Sequence, residues 1–230
     1  MPKKKDDRTV ILSLDRVTRK LIGPPPVTLV EDVSLSVSPG DFIAITGPSG
    51  SGKSSLLYLM GLLDRPDEGE VKLQGQATRA LSERERAKLR LSTLGYVFQF
   101  HFLLPEFTVE ENVLLPMRRL ARAEEEEMFD KAAKLLKQLG IEDCRRKKPG
   151  QLSGGESQRA AIARALANDP LMVLADEPTG NLDTKNSRIV FETFTELVAD
   201  AGRAVVAVTH DPEMAALCSR RLRIVDGRLA

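Results

Sequence analysis

Three of the unbroken apolar stretches of the chain read as strands: Phe42-Ile43-Ala44-Ile45, Leu171-Met172-Val173-Leu174-Ala175 and Ala204-Val205-Val206-Ala207-Val208. Runs this short, bounded by turn or polar residues, suit strands buried on both faces, as in a parallel sheet. Val10–Val17, Val33–Val37 and Gly69–Gly75 instead alternate apolar with polar positions and predict strands with one wet face. Leu94–Gln99 predicts a further strand, and Leu222–Val225 with Gly227–Leu229 a closing hairpin. Helical signals lie between them. A helix opens at Leu56–Met60, and Ser82 is placed to cap a charged helix reaching Leu91. Across Glu124–Leu139, Met128, Ala132, Leu135, Leu136 and Leu139 share one face, Gly140 is a stop, and the opening glutamates suit a helix N-terminus as a solvated face rather than a metal site. Further helices are predicted from Ser153 to about Asn168, from Asn186 to Ala201 and from Pro212. Gly23–Pro26 must be a loop, and Lys147–Gly150 reads as a linker. Pro105 and Pro116 interrupt the apolar stretch His101–Met117, which predicts irregular chain or a broken helix. Strands alternating with helices predict a single α/β domain, with a core over residues 1–99 and 168–230 and a helical insertion over about 100–167.

Composition narrows the function. With 230 residues, 42% of them apolar, the chain can bury a good core. A formal net charge of +1 argues against a dedicated nucleic-acid binder. Cys144 and Cys218 have no metal-ligand spacing and read as small buried or semi-exposed thiols in a reducing compartment. No apolar run approaches the ~20 residues that cross a bilayer, and the opening residues have no apolar centre of a signal peptide. The expectation is therefore a cytoplasmic protein that, if it works at a membrane, does so through another chain. Lys3–Lys5 reads as a solvated terminus, with contact to anionic lipid the alternative.

The chemistry centres on Gly47-Pro48-Ser49-Gly50-Ser51-Gly52-Lys53-Ser54-Ser55, which follows the first buried strand and precedes a helix. That is the context a P-loop requires: glycines let backbone N–H groups converge on an anion, and the helix start adds its positive dipole end. Lys53 is the charge for the β and γ phosphates, and Ser54 the hydroxyl for Mg²⁺. The second buried strand ends in Asp176, which in a P-loop protein holds Mg²⁺, usually through water. Glu177 follows, placed to orient or deprotonate the attacking water.

Leu152-Ser153-Gly154-Gly155-Glu156 is a second anion cradle at a helix start, without cationic side chains. One nucleotide needs only one P-loop, so this second cradle asks for an explanation. At these residues the chain resembles the ATP-binding subunits of ABC transporters, over nearly its whole length. The resemblance implies a P-loop, RecA-like α/β core, an N-terminal antiparallel β subdomain and an inserted α-helical signature subdomain. It implies that Ser153, Gly154 and Gly155 grip the γ-phosphate held on a second copy's P-loop, so that two copies sandwich two ATP molecules head to tail. It makes Gln99 the glutamine that completes Mg²⁺ coordination and senses the membrane subunit. Asp183 becomes part of a loop crossing the dimer interface, and His210 the histidine contacting the γ-phosphate. Leu21 stands where the family usually carries an adenine-stacking aromatic, and Ser55 where threonine is common. The stretch Gln99–Thr108 with Glu111-Asn112-Val113 resembles the lipoprotein-releasing LolD subfamily. Ala175–Asp183 is shared by that subfamily and the macrolide-export and cell-division types, which stay as alternatives. The implied function is an ATPase on the cytoplasmic face of a bacterial inner membrane, bound to integral permease subunits and using ATP and Mg²⁺. A non-transport ABC protein acting on ribosomes or DNA, and a small-molecule P-loop kinase, are the rival classes.

Overall fold

The structure is a computed structural model that describes residues 10–230; Lys3–Lys5 lie outside them. Two sheets organise the chain. In the first, β1 (Leu12–Leu21) pairs antiparallel with β2 (Val27–Val37) on one side and β4 (Glu68–Leu73) on the other, and β4 pairs with the short β5 (Gln76–Ala77). The second has the order β10-β9-β3-β8-β7-β6. Here β3 (Phe42–Thr46), β8 (Ala204–Val208), β7 (Met172–Asp176), β6 (Leu94–Val97) and β9 (Arg220–Val225) run parallel, and β10 (Arg228–Leu229) closes an antiparallel hairpin on β9. Both β1 and β2 extend beyond the alternating stretches that predict them, to Leu21 and back to Val27, because Lys20 and Leu21 pair across to Thr28 and Val27.

The apolar runs are continuous because the parallel sheet has a core on each face. In β3 the side-chain period of two sends Phe42 and Ala44 to one core, and Ile43 and Ile45 to the other. In β7, Val173 and Ala175 face the first core while Met172 and Leu174 face the second. The first core is filled by helices α3 (Val109–Leu120), α4 (Glu125–Gln138), α5 (Gly154–Leu166) and α6 (Thr184–Ala201). The second lies between the parallel sheet, α1 (Lys53–Met60) and the antiparallel sheet. Both cysteines are buried.

Cap chemistry sets several helix starts. Ser82 caps α2 (Glu83–Thr93), Ser153 caps α5, and each forms a capping box with the glutamate three residues on, Glu85 and Glu156. Thr108 and Glu111 do the same for α3. The expectation for His101–Met117 needs correction. Residues 101–107 are irregular, but Val109–Leu120 is one continuous helix that contains Pro116. Val109, Val113, Leu114 and Met117 are all buried in the first core, and the Pro116 carbonyl accepts a hydrogen bond from Asn168 Nδ2 at 3.0 Å. Tertiary packing thus outweighs the local cost of the proline. The irregular segment is stitched to α3 by fully buried Asn112, whose amide accepts from Leu104 N at 2.8 Å and donates to the Leu104 and Thr108 carbonyls at 3.1 and 2.9 Å. Gln99 lies in the bend after β6 rather than in the strand.

Candidate active site

Parallel register brings the chemistry to one edge. Ile45 is level with Val208, and Val208 with Asp176, so the carboxyl ends of β3, β8 and β7 lie side by side. The loop Gly47–Gly52, the Asp176-Glu177 pair and Thr209-His210 all leave from that edge, where ligands of open α/β sheets gather.

The loop needs its glycines for two separate reasons. Gly47 and Gly52 have φ of +147° and +100°, and a Cβ on them would stand 2.1 Å from the Ile224 carbonyl and 2.0 Å from the Leu29 carbonyl. Gly52 then serves as the left-handed N-cap of α1, so the free N–H groups of the helix start open onto the loop. Lys53 Nζ donates to the Gly47 and Pro48 carbonyls at 3.0 and 2.7 Å, which folds the ammonium against the loop. The Ser51 hydroxyl is buried with no hydrogen-bond partner, a polar atom left over inside a cradle shaped for an anion.

Ser54 Oγ donates to Asp176 Oδ1 at 3.0 Å across the α1–β7 contact. Burial pushes the Asp176 carboxyl above its ordinary range, offset in part by the bond from Ser54 and by the charge of Lys53. Two hard oxygen donors at this spacing fit Mg²⁺, which binds through few protein ligands and fills its shell with water and phosphate oxygens. Glu177 sits at φ +45°, a strained conformation for a non-glycine residue, and its N–H is held by the Val208 carbonyl at 3.1 Å. Its Oε2 is 3.5 Å from Nδ1 of exposed His210. A Cβ on Gly180 would stand 3.0 Å from Gln99 Nε2, so Gln99 lies against the turn that follows Glu177. Ser49, Gly50 and Ser55 stay with the loop and the first turn of α1.

The Ser153 segment lies elsewhere. Among the described residues no hydrogen bond joins Leu152–Glu156 to the Gly47–Ser55 loop. Gly154 instead abuts Leu182 and Asn181, and a Cβ on Gly155 would meet Asn186 Oδ1 at 2.1 Å. Asp183 caps α6, accepting from Asn186 N at 2.8 Å. Glu156 is clamped by the Cys144 thiol at 3.0 Å and by Ser153 N at 2.7 Å, which draw its pKa down to about 2. The Ser153 and Asp183 loops therefore meet, and α5, which Ser153 opens, packs in the first core while α1, which the P-loop opens, packs in the second, on the other face of the parallel sheet.

The family description "ABC transporter" matches residues 30–180. The chain is 46% identical over 222 residues to the lipoprotein-releasing system ATP-binding protein LolD 1 of Chlorobium chlorochromatii, spanning 96% of this chain and 90% of that one. It is 47% identical to the LolD protein of Aquifex aeolicus, over 87% and 89% of the two chains. Among solved structures it resembles the dimeric post-hydrolysis ATP-binding cassette MJ0796 bound to ADP and Pi, with a TM-score of 0.89, 40% identity and coverage of 95% and 96%.

The chain belongs to the ABC transporter family.

Within that family it is an ATP-binding subunit of the LolD type. For an ABC ATPase the loop glycines are a direct test of nucleotide binding. Gly52→Ala combines a left-handed backbone, about 1–3 kcal/mol of strain, with a Cβ driven into the Leu29 carbonyl. Its ATP affinity is expected to fall by at least about tenfold, read as loss of the ATP-dependent rise in melting temperature.

Proposed function

We propose that this ABC ATPase works as a head-to-tail pair on the cytoplasmic face of a bacterial inner membrane, driving integral permease subunits that release lipoproteins. The observation that carries the paired arrangement is the separation, within one chain, of the P-loop from the Ser153 cradle. A second copy related by a two-fold axis would bring its Ser153, Gly154 and Gly155 to the phosphate held on this copy's loop, with Asp183 at the seam.

In this reading the N–H groups of the Gly47–Ser55 loop and the start of α1 bind the β and γ phosphates, and Lys53 leaves the Gly47 and Pro48 carbonyls to pair with them. Ser54, Gln99 and Asp176 are the residues that would hold Mg²⁺, which when bound neutralises phosphate charge. Glu177 orients the attacking water and takes its proton, and His210 beside it faces the γ-phosphate. Closing the pair excludes water and strengthens each of these interactions.

The membrane partner would dock beside Gln99. A cavity of about 800 Å³ is lined by Phe98, the residue before Gln99, with Leu94, Tyr96, Phe102, Arg84, Lys88 and Arg119. Phe100 and Phe102 are 64% and 62% exposed, an unusual state for two neighbouring aromatics. The 100–116 region would receive a cytoplasmic helix of the permease, with Gln99 next to both the groove and the turn after Glu177. Expression with the multi-spanning chains encoded beside it tests this. The wild type is expected to co-purify with them. A Phe100→Asp/Phe102→Asp variant is expected to lose them while retaining ATP binding. Co-purification of that variant at wild-type yield would remove the groove from the interface.

A further inference from the structure

The cavity beside Phe98 has a charge imbalance that the chain as a whole does not share. Arg84, Lys88, Arg90, Arg119 and Arg164 line it, and among the described residues no Asp or Glu does. The full chain is nearly neutral, at a formal +1. Carboxylates on the neighbouring helices serve other cations: Arg86 pairs with Glu83 and Arg118 with Glu125, and neither arginine lines the cavity. Helix ends account for three of the five cations. Arg90, Arg119 and Arg164 stand in the last turns of α2, α3 and α5, where free carbonyls favour positive charge. Arg164 also donates to the His101 and Phe102 carbonyls at 2.6 and 2.5 Å. Arg84 and Lys88 have no such account. Both are exposed, and their spacing of four residues makes them repel each other on one face of α2. Arg84 lies in the first turn, the end of a helix that disfavours a cation. The lining also includes an aromatic wall: Tyr96 stacks on Phe98 at 4.4 Å, and Phe98 meets Phe102 edge-on at 5.2 Å.

We infer that the groove takes an acidic amphipathic helix: the permease segment that docks here carries carboxylates that pair with Arg84 and Lys88, and apolar side chains that cover Tyr96, Phe98 and Phe102. This rests on the reading that the groove receives a cytoplasmic helix of the permease. A flat anionic lipid surface would meet the exposed Arg84 and Lys88 without entering the cavity, whereas an inserted helix meets the cations and the aromatic wall together. Complementary charge at such a contact steers encounter, fixes register and excludes wrong partners.

The test is Arg84→Glu/Lys88→Glu in the full chain, expressed with the multi-spanning chains encoded beside it. Lys134→Glu/Lys137→Glu, at two exposed positions of α4 outside the cavity, is the control of equal charge change. The groove variant is expected to capture the permease at about a tenth of the wild-type yield or less, with the ATP-dependent rise in melting temperature unchanged. The α4 variant is expected to keep the full yield. Asp and Glu residues in the cytoplasmic loops of the permease are then changed to Lys one at a time, and one such change is expected to restore capture of the groove variant. Wild-type yield for the groove variant, an equal loss in the α4 variant, or no restoring change in the permease would each overturn the assignment. So would loss of binding to phosphatidylglycerol vesicles with permease capture intact, which gives the cations to lipid. If Phe100→Asp/Phe102→Asp loses the permease while the groove variant keeps it, the acidic partner fails and the groove stands; if both keep it, the groove reading fails as well.

Discussion

Glu177→Gln is expected to bind ATP at close to wild-type affinity, to lose hydrolysis by about 10²–10⁴-fold, and to accumulate as a dimer when ATP and Mg²⁺ are present. The substitution keeps the shape of a side chain that holds an unfavourable backbone conformation, φ +45°, anchored by its N–H to the Val208 carbonyl. It removes the proposed base and a negative charge. That charge raises the Asp176 carboxyl from next door, so its loss also eases the approach of phosphate. Binding and closure therefore survive while proton transfer does not. Steady-state phosphate release and sedimentation with ATP check both halves. Full turnover would take Glu177 out of its catalytic role, and a monomer with bound ATP would separate hydrolysis from dimer closure.

Ser153→Arg is expected to abolish hydrolysis while each monomer still binds ATP. Ser153 is exposed at the start of α5, where its hydroxyl accepts from Glu156 N at 3.3 Å. An arginine removes the cap, worth about 1 kcal/mol, and fills the space where a second copy's phosphate would sit. The decisive form of the experiment mixes two dead proteins, Ser153→Arg and Lys53→Ala. In a head-to-tail pair one site of each mixed dimer joins an intact P-loop to an intact Ser153 cradle. Random pairing then predicts recovery of about a quarter of wild-type activity. A site completed within one chain predicts no recovery, and that result would refute the shared arrangement.

The basis of these predictions was unevenly legible. The motif Gly47–Ser55 could be read because its chemistry is local: the glycines, lysine and serine are consecutive, and the flanking strand and helix have clear periods. The same holds for the caps Ser82 and Ser153, whose bonding partners lie three residues away. Position 116 could not be read. Proline chemistry argues for a break, and only the burial of Val109, Val113, Leu114 and Met117 against the first core shows that the helix runs through.

The sequence by itself determined the alternation of strands and helices, the burial of β3, β7 and β8 on both faces, and the residue types able to handle phosphate. Those properties follow from short-range periodicity and side-chain chemistry. Tertiary structure alone decided which of these residues meet. The parallel register of β3, β8 and β7 sets Ser54 on Asp176, and His210 beside Glu177. The fold also lays Gln99 against Gly180, and packs α5, which Ser153 opens, in a different core from α1, which the P-loop opens. These are contacts between residues far apart in the chain, set by how two sheets and their helices share two cores, and no local pattern encodes them.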